Sequence, residues 1–219
     1  NPKYNIYYPV EKYKGLNIDV IIHPDINFRW DQTDEPDYTF VYNCPFRPKL
    51  HFTAAFGWLN DPNGLFEYTS KVTGEKVYNM YFQYNPYGSK WGNMHWGHSV
   101  SKDLVHWEHL APAIARDTLG HIFSGSSIVD QENVAGYGVG SILVFYTSAS
   151  DKNGQIQCLA FSKDNGRTFT KYEKNPILCP ADGLRDFRDP KVFRYEPEDK
   201  WVMIVSADKE MRFYESKNL

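Results

Sequence analysis

Three times in this chain a run of β-forming residues ends in the same short phrase. Ser101-Lys102-Asp103 leads on to Trp107, Ser162-Lys163-Asp164 leads on to Phe169, and Ser216-Lys217-Asn218-Leu219 opens the phrase again. A strand leaves into a polar turn, and an aromatic residue starts the next strand. A recurrence every 50–60 residues or so, with about four strands per unit, is the signature of propeller blades. The competing explanation is chance reuse of a common turn. Stretches rich in Val, Ile, Tyr, Phe and Trp predict strands at 77–84, 95–101, 141–147, 155–162, 191–195, 200–206 and 211–215, with Gly, Pro, Asn and Asp between them. No amphipathic helix of about ten or more residues fits between them. The fold class is all-β. Propellers close as rings of about 4–8 blades, and residues 45–219 hold about three, so further blades are expected outside this sequence.

Residues 1–44 differ in kind. They are Tyr-rich, with candidate strands at 18–22 and 38–42 interrupted by Pro24 and Pro36. A piece this small rarely folds alone. It reads as an N-terminal extension packed on the β domain or as the remnant of an accessory region.

Composition narrows the partners. The 219 residues carry a net charge of −3, so no basic footprint points to nucleic acid or an anionic membrane. No apolar run approaches the roughly 18 residues of a membrane span, and no signal-peptide pattern opens the chain. With 14 Phe, 16 Tyr and 6 Trp, aromatic residues make up 16%. That suits cross-strand packing and equally suits stacking on the C–H faces of sugars. Cys44, Cys158 and Cys179 lack metal-ligand spacing and read as three buried thiols. No Asn-X-Ser/Thr sequon occurs.

Two carboxylates stand out by their context. Trp58-Leu59-Asn60-Asp61-Pro62-Asn63-Gly64 sets Asp61 among residues that each favour a tight turn: Pro62 fixes φ, and Asn63 and Gly64 tolerate positive φ. Phe187-Arg188-Asp189-Pro190-Lys191-Val192-Phe193 sets a second, buried-looking carboxylate at the mouth of an apolar strand, where Arg188 would hold Asp189 ionised. Each string alone also has a bland reading, a turn and a structural Arg–Asp pair. His95, His98, His106 and His109 have a spacing that could mimic a metal site, but the first pair belongs to a strand and the second to a turn and the residues just after it, which argues against common ligation. Asp164-Asn165-Gly166 reads as a hairpin turn.

Between the two carboxylates lie Met80-Tyr81-Phe82-Gln83-Tyr84, Trp91-Gly92-Asn93-Met94-His95-Trp96-Gly97-His98 and Phe123-Ser124-Gly125-Ser126. These five motifs, in this order over residues 45–219, resemble glycoside hydrolase family 32, the family of invertases, inulinases, levanases and related fructosyltransferases. The Gly92–His98 stretch is most similar to the fructan exohydrolases. The resemblance implies a five-bladed propeller with the active site in its central funnel, of which about the first three blades are present. It implies that Asp61 is the nucleophile at the anomeric carbon of a β-linked fructofuranosyl unit. Asp189, oriented by Arg188, would stabilise the oxocarbenium-like transition state. Asn60, Gln83, Trp91, Phe123 and Ser124 would line the pocket for the terminal fructose. No metal and no organic cofactor is implied, and the polymeric substrates point to export from the cell.

A retaining glycosidase also needs a carboxylic acid with a raised pKa about 5–5.5 Å from the nucleophile. The family supplies it from a Glu-Cys motif, and no Glu-Cys pair occurs in this sequence. Its expected position lies beyond Leu219. The expected function is exo-acting hydrolysis of terminal fructose from inulin, levan or sucrose. The alternatives are a truncated or degenerate non-catalytic propeller that at most binds fructosides, a related arabinosidase, and fructosyl transfer in place of hydrolysis.

Overall fold

The structure, a computed structural model, describes residues 45–70, 74–180 and 183–219. The two strands expected within 1–44, and Cys44, lie outside the described residues. The rest forms three antiparallel sheets in which strands follow one another in chain order. The first holds β1 (Trp58–Thr69), β2 (Lys76–Asn85), β3 (His95–Ser101) and β4 (Trp107–Ile114). The second holds β5 (His121–Asp130), β6 (Ser141–Ser150), β7 (Gly154–Ser162) and the short β8 (Thr170–Lys171). The third holds β9 (Phe187–Tyr195), β10 (Lys200–Ala207) and β11 (Glu210–Ser216). Among the described residues no helix is long and apolar enough to cross a membrane.

The recurring phrase has one structural meaning. Ser101, Ser162 and Ser216 each end the third strand of their sheet. In each case the serine hydroxyl bonds the side chain two residues on, at 3.2 Å to Asp103, 2.6 Å to Asp164 and 3.0 Å to Asn218, and accepts that residue's backbone N–H. Such local side-chain bonds satisfy the backbone as the ladder ends. The repeat is therefore a property of the sheets themselves.

The first strands of the three sheets lie side by side, β5 between β1 and β9. Behind them, Tyr81 and Trp96 of the first sheet pack on Ile122, Val144 and Tyr146 of the second. Leu143, Phe145 and Leu159 of the second pack on Val192 of the third, backed by Trp201 and Met203. Each such side chain contributes roughly 1.5–3 kcal/mol by leaving water, so the sheets are joined by aromatic and aliphatic burial and not by a shared ladder.

Two expectations need correction here. The 58–64 segment is not a free-standing turn: it is the beginning of β1, paired on both sides of Asp61 with β2. Gly64 does take positive φ (51°), but Asn63 does not. A Cβ on Gly64 would also sit 3.0 Å from the Tyr81 ring and 3.1 Å from that of Trp96. The cysteines are not all buried. Cys158 is, and burial pushes its thiol up to about 12, whereas Cys179 is exposed.

Candidate active site

Each first strand carries a β-bulge, and the bulges hold the residues singled out above. In β1, Asn60 pairs with Gln83 and Pro62 with Phe82, which leaves Asp61 as the extra residue. In β5, Ile122 pairs with Ser148 and Gly125 with Tyr146, so Phe123 and Ser124 face the single residue Thr147. In β9, Arg188 pairs with Ser206 and Lys191 with Ile204, so Asp189 and Pro190 face Val205. A bulge bends its strand and re-aims a side chain out of the alternating pattern. Here the first strand of every sheet uses the device, and β1 carries a second irregularity between Asn63 and Phe66.

The bulges are joined to one another. Ser124 Oγ donates to Asp61 Oδ2 at 2.7 Å. One step further along, the Gly125 N–H donates to Asn63 Oδ1 at 3.2 Å. Ser126, on the same strand, grips β9: its hydroxyl donates to the Pro190 carbonyl at 2.8 Å and accepts the Val192 N–H at 3.0 Å. Gly125 admits no side chain, because a Cβ there would fall 1.9 Å from the Phe145 carbonyl oxygen. Asp61 is exposed, and the Asp189 side chain is half-buried (53% exposed) where its context predicts a buried carboxylate.

Their electrostatics differ from expectation. Arg188 spends its guanidinium on Asp186, with Nη1 to Oδ1 at 2.5 Å, and pulls that carboxyl below its ordinary range. Its Nε stands 3.9 Å from Asp189 Oδ2. Asp189 is accordingly raised above the usual carboxylate value. Partial burial is the largest cause, Arg188 opposes it, and the Asp61 charge adds to it. Arg188 thus favours the ionised form of Asp189, as expected, but partial burial and the like charge of Asp61 outweigh it. The Asp189 backbone is also unusual, with φ of 63° for a non-glycine residue.

The remaining expected residues fall into two groups. Trp91 is 55% exposed, stands edge-on to Phe123 with centroids 5.8 Å apart, and lies nearly parallel to His121 at 6.1 Å. Asn60 is fixed by Trp58, whose Nε1–H donates to its Oδ1 at 2.7 Å. Gln83, expected to line the pocket, is 3% exposed, and its amide donates to the Ile122 carbonyl at 3.0 Å. It supports the β5 bulge from behind.

Sequence reasoning missed several contributors. His121 accepts the Met94 N–H on Nδ1 at 3.0 Å, tying the Trp91 segment to β5, and burial next to Arg116 lowers its pKa. Trp96 Nε1–H donates to the Phe123 carbonyl at 2.9 Å. Thr147 and Gln157 serve β9 in the same way. A hint was available in the Ser124-Gly125-Ser126 alternation, but nothing in the strands around Thr147 and Gln157 marks them. The four histidines weighed as a metal site each engage their own partner: His95 the Asn93 carbonyl, His98 Asn79, His106 Asp103 and His109 Ser99. Among the described residues no group of three or more His, Cys, Asp or Glu is arranged to hold a metal ion.

Two carboxylates on the bulges that flank β5, one taking a hydroxyl hydrogen bond and the other raised, stand beside an exposed indole and a phenyl ring. Such a set can bind the hydroxyls of a sugar ring while its apolar face meets the aromatics. Comparison with known proteins bears on this arrangement. Residues 51–219 match the model described as the glycosyl hydrolases family 32 N-terminal domain. A levanase of Bacillus subtilis (strain 168) is 49% identical over 182 residues, which is 81% of this chain and 26% of the levanase. An extracellular exo-inulinase of Meyerozyma guilliermondii is 41% identical over 183 residues, 80% of this chain and 34% of that protein. The solved β-fructofuranosidase of Schwanniomyces occidentalis, complexed with fructosyl-erythritol, superposes with a TM-score of 0.70 at 41% identity over 78% of this chain and 34% of its own. The chain thus spans about a quarter to a third of the length of these relatives.

Proposed function

The chain belongs to glycosyl hydrolase family 32, and on that premise we propose that it forms part of a retaining β-fructofuranosidase that releases terminal fructose from fructans or sucrose. The observation that supports the reading most is the position of Asp61. It is bulged out of β1, exposed, and held by the Ser124 hydroxyl, with Asp189 close enough for the two charges to interact. In this reading Asp61 attacks the anomeric carbon, the bond to the leaving oxygen breaks, and water later displaces the sugar from the Asp61 ester. The bond from Ser124 fixes the orientation of the Asp61 carboxylate.

Asp189 faces the same sugar and grips its hydroxyls as positive charge develops on the ring. Its raised pKa is consistent with this use, because a cationic transition state adds positive charge to the partial compensation that Arg188 gives. Trp91 and Phe123 form the apolar wall, and Asn60 adds a polar group next to Asp61 in β1. Gln83 acts through β5, and Arg188 orients Asp189 from 3.9 Å while bonding Asp186. The general acid is the Glu of the family's Glu-Cys motif, which this sequence does not include. Residues 45–219 form the N-terminal part of a five-bladed propeller with residues 1–44 as an extension, and polymeric substrates make export the expected location.

The test is kinetic and stereochemical, on the protein expressed from its complete reading frame. NMR should show β-fructofuranose as the first product from a β-fructoside, and the Asp61→Ala variant should retain no measurable turnover. An α-configured first product, or normal turnover by that variant, rules out the proposed nucleophile.

A further inference from the structure

The left-handed backbone at Asp189 needs a cause, since it is unfavourable for any residue with a side chain. The ladder to β10 does not supply one: it is interrupted between Ile204 and Ser206, opposite Asp189. The cause lies in the neighbouring sheet. Thr147 and Gln157 are cross-strand partners on β6 and β7, and both are fully buried. Thr147 Oγ1 accepts the Asp189 N–H at 3.1 Å and donates its own proton to Gln157 Oε1 at 2.8 Å. Gln157 Nε2 then donates to the Phe187 carbonyl at 2.7 Å. The Gln157 backbone is fixed in turn by Leu178 and Ile177. Each donor in this relay has one acceptor, and the Thr147 hydroxyl is used in both directions.

We infer that Thr147 and Gln157 form a clamp that positions Asp189, holding its backbone in the left-handed conformation so that its carboxylate faces Asp61 and the bound sugar. The inference rests on the proposed role of Asp189 for its catalytic consequence, though not for its geometry. Thr147 is a positioning residue: it touches the backbone of Asp189 and no substrate. The first sheet carries the same device. Gln83 and Trp96 are cross-strand partners on β2 and β3, and they hold the Ile122 and Phe123 carbonyls of the β5 bulge. In each of the first two sheets one buried pair thus holds the bulge of the sheet that follows.

The test uses the protein from its complete reading frame. Thr147→Val keeps the shape of the side chain and removes the hydroxyl, and Thr147→Ser restores it. The expected result is a fall in kcat of about 10- to 100-fold for Thr147→Val, with KM changed by less than about threefold, because a misplacement near 1 Å can cost that much. Thr147→Ser should stay within about twofold of wild type. In an Asp189→Ala background, Thr147→Val should add less than about a twofold further loss, since its target is gone. The same loss in both backgrounds would overturn the inference. NMR titration of the Asp189 carboxyl provides a readout that needs no turnover. It should shift in Thr147→Val and not in Thr147→Ser, even if the protein proves to act on no fructoside. An unshifted titration in Thr147→Val would overturn the clamp. Should Thr147→Val fail to fold, Thr147→Cys, whose thiol is a weak acceptor, carries the same comparison with the same expected and contrary results.

Discussion

The seam between the first and second sheets and the seam between the second and third are built on one plan with different chemistry. At the first, two side chains of the donor sheet, Gln83 and Trp96, give their N–H groups to carbonyls of β5. At the second, Thr147 accepts an N–H of β9 while Gln157 donates to a carbonyl. The first seam adds direct contact between the bulges, Ser124 to Asp61, and a stacked aromatic core of Tyr81 and Trp96. The second bends β9 into a left-handed residue and keeps Arg188 Nε 3.9 Å from its carboxylate. The same architecture therefore makes two unlike carboxylates: one supported by a hydroxyl, the other strained and raised in pKa. Chemistry that needs one group to attack and another to stabilise charge is served by that asymmetry.

Exchanging the two carboxylates' fates is the strongest way to break the comparison. Asp61→Ala should lower kcat by at least about 10⁴-fold, as expected for a covalent nucleophile. Asp189→Ala should cost about 10²–10³-fold, the scale of one electrostatic contact to the transition state. Steady-state kinetics on the same fructoside checks both, and an Asp189 loss exceeding that of Asp61 would reverse the assigned roles.

The next effect separates the sheets by pH. His95 and His98, both on β3, are lowered to about 3, chiefly by burial. The fold therefore favours the neutral rings, and the unfolded chain binds more protons below the ordinary histidine value of about 6.5. Stability contributed this way is fully present above that pH and is lost as pH falls toward 3, by up to about 1.4 kcal/mol per pH unit for each ring. The third sheet holds no histidine. The lowered rings of His109 and His121 add to this dependence, so urea unfolding between pH 7 and 5 should show it and His98→Gln should remove about a quarter to a third of it. An unchanged slope in that variant would show that the buried rings are not its source.

Smaller effects sharpen the first seam. Ser124→Ala should reduce kcat/KM by about tenfold or less, since the hydrogen bond it removes reaches an exposed carboxylate. Trp96→Phe loses the N–H to Phe123 and shrinks a fully buried ring, and should destabilise the protein by about 2–3 kcal/mol in urea melts. A loss of activity greater in Trp96→Phe than in Ser124→Ala would mean that the β5 bulge, more than the hydroxyl, sets the site.

Much of this architecture was legible in the sequence, and the hidden part has a pattern. β2, β3, β6, β7, β10 and β11 were expected within one or two residues at most boundaries, because they are rich in β-branched and aromatic residues. β1, β5 and the head of β9 were not, and these carry the site. They contain Asn, Asp, Pro, Gly and Ser because bulges, close backbone approach and side-chain bonds between sheets require them. Such residues mimic turns when read locally. Gln83 shows the converse: its motif marks it as important, but burial makes it a support of β5. The roles of Thr147 and Gln157 depend on which residue of another sheet comes alongside, and strand propensity carries no such information.

The central claim is that the bulged carboxylate of β1 is the one that becomes covalently linked to sugar. The most direct measurement is peptide mapping by mass spectrometry after the protein from its complete reading frame is quenched in acid during turnover of an activated fructoside. The account predicts a fructosyl adduct on the peptide containing Asp61, absent in Asp61→Ala. An adduct on the peptide containing Asp189, or turnover with inversion and no adduct, would contradict it.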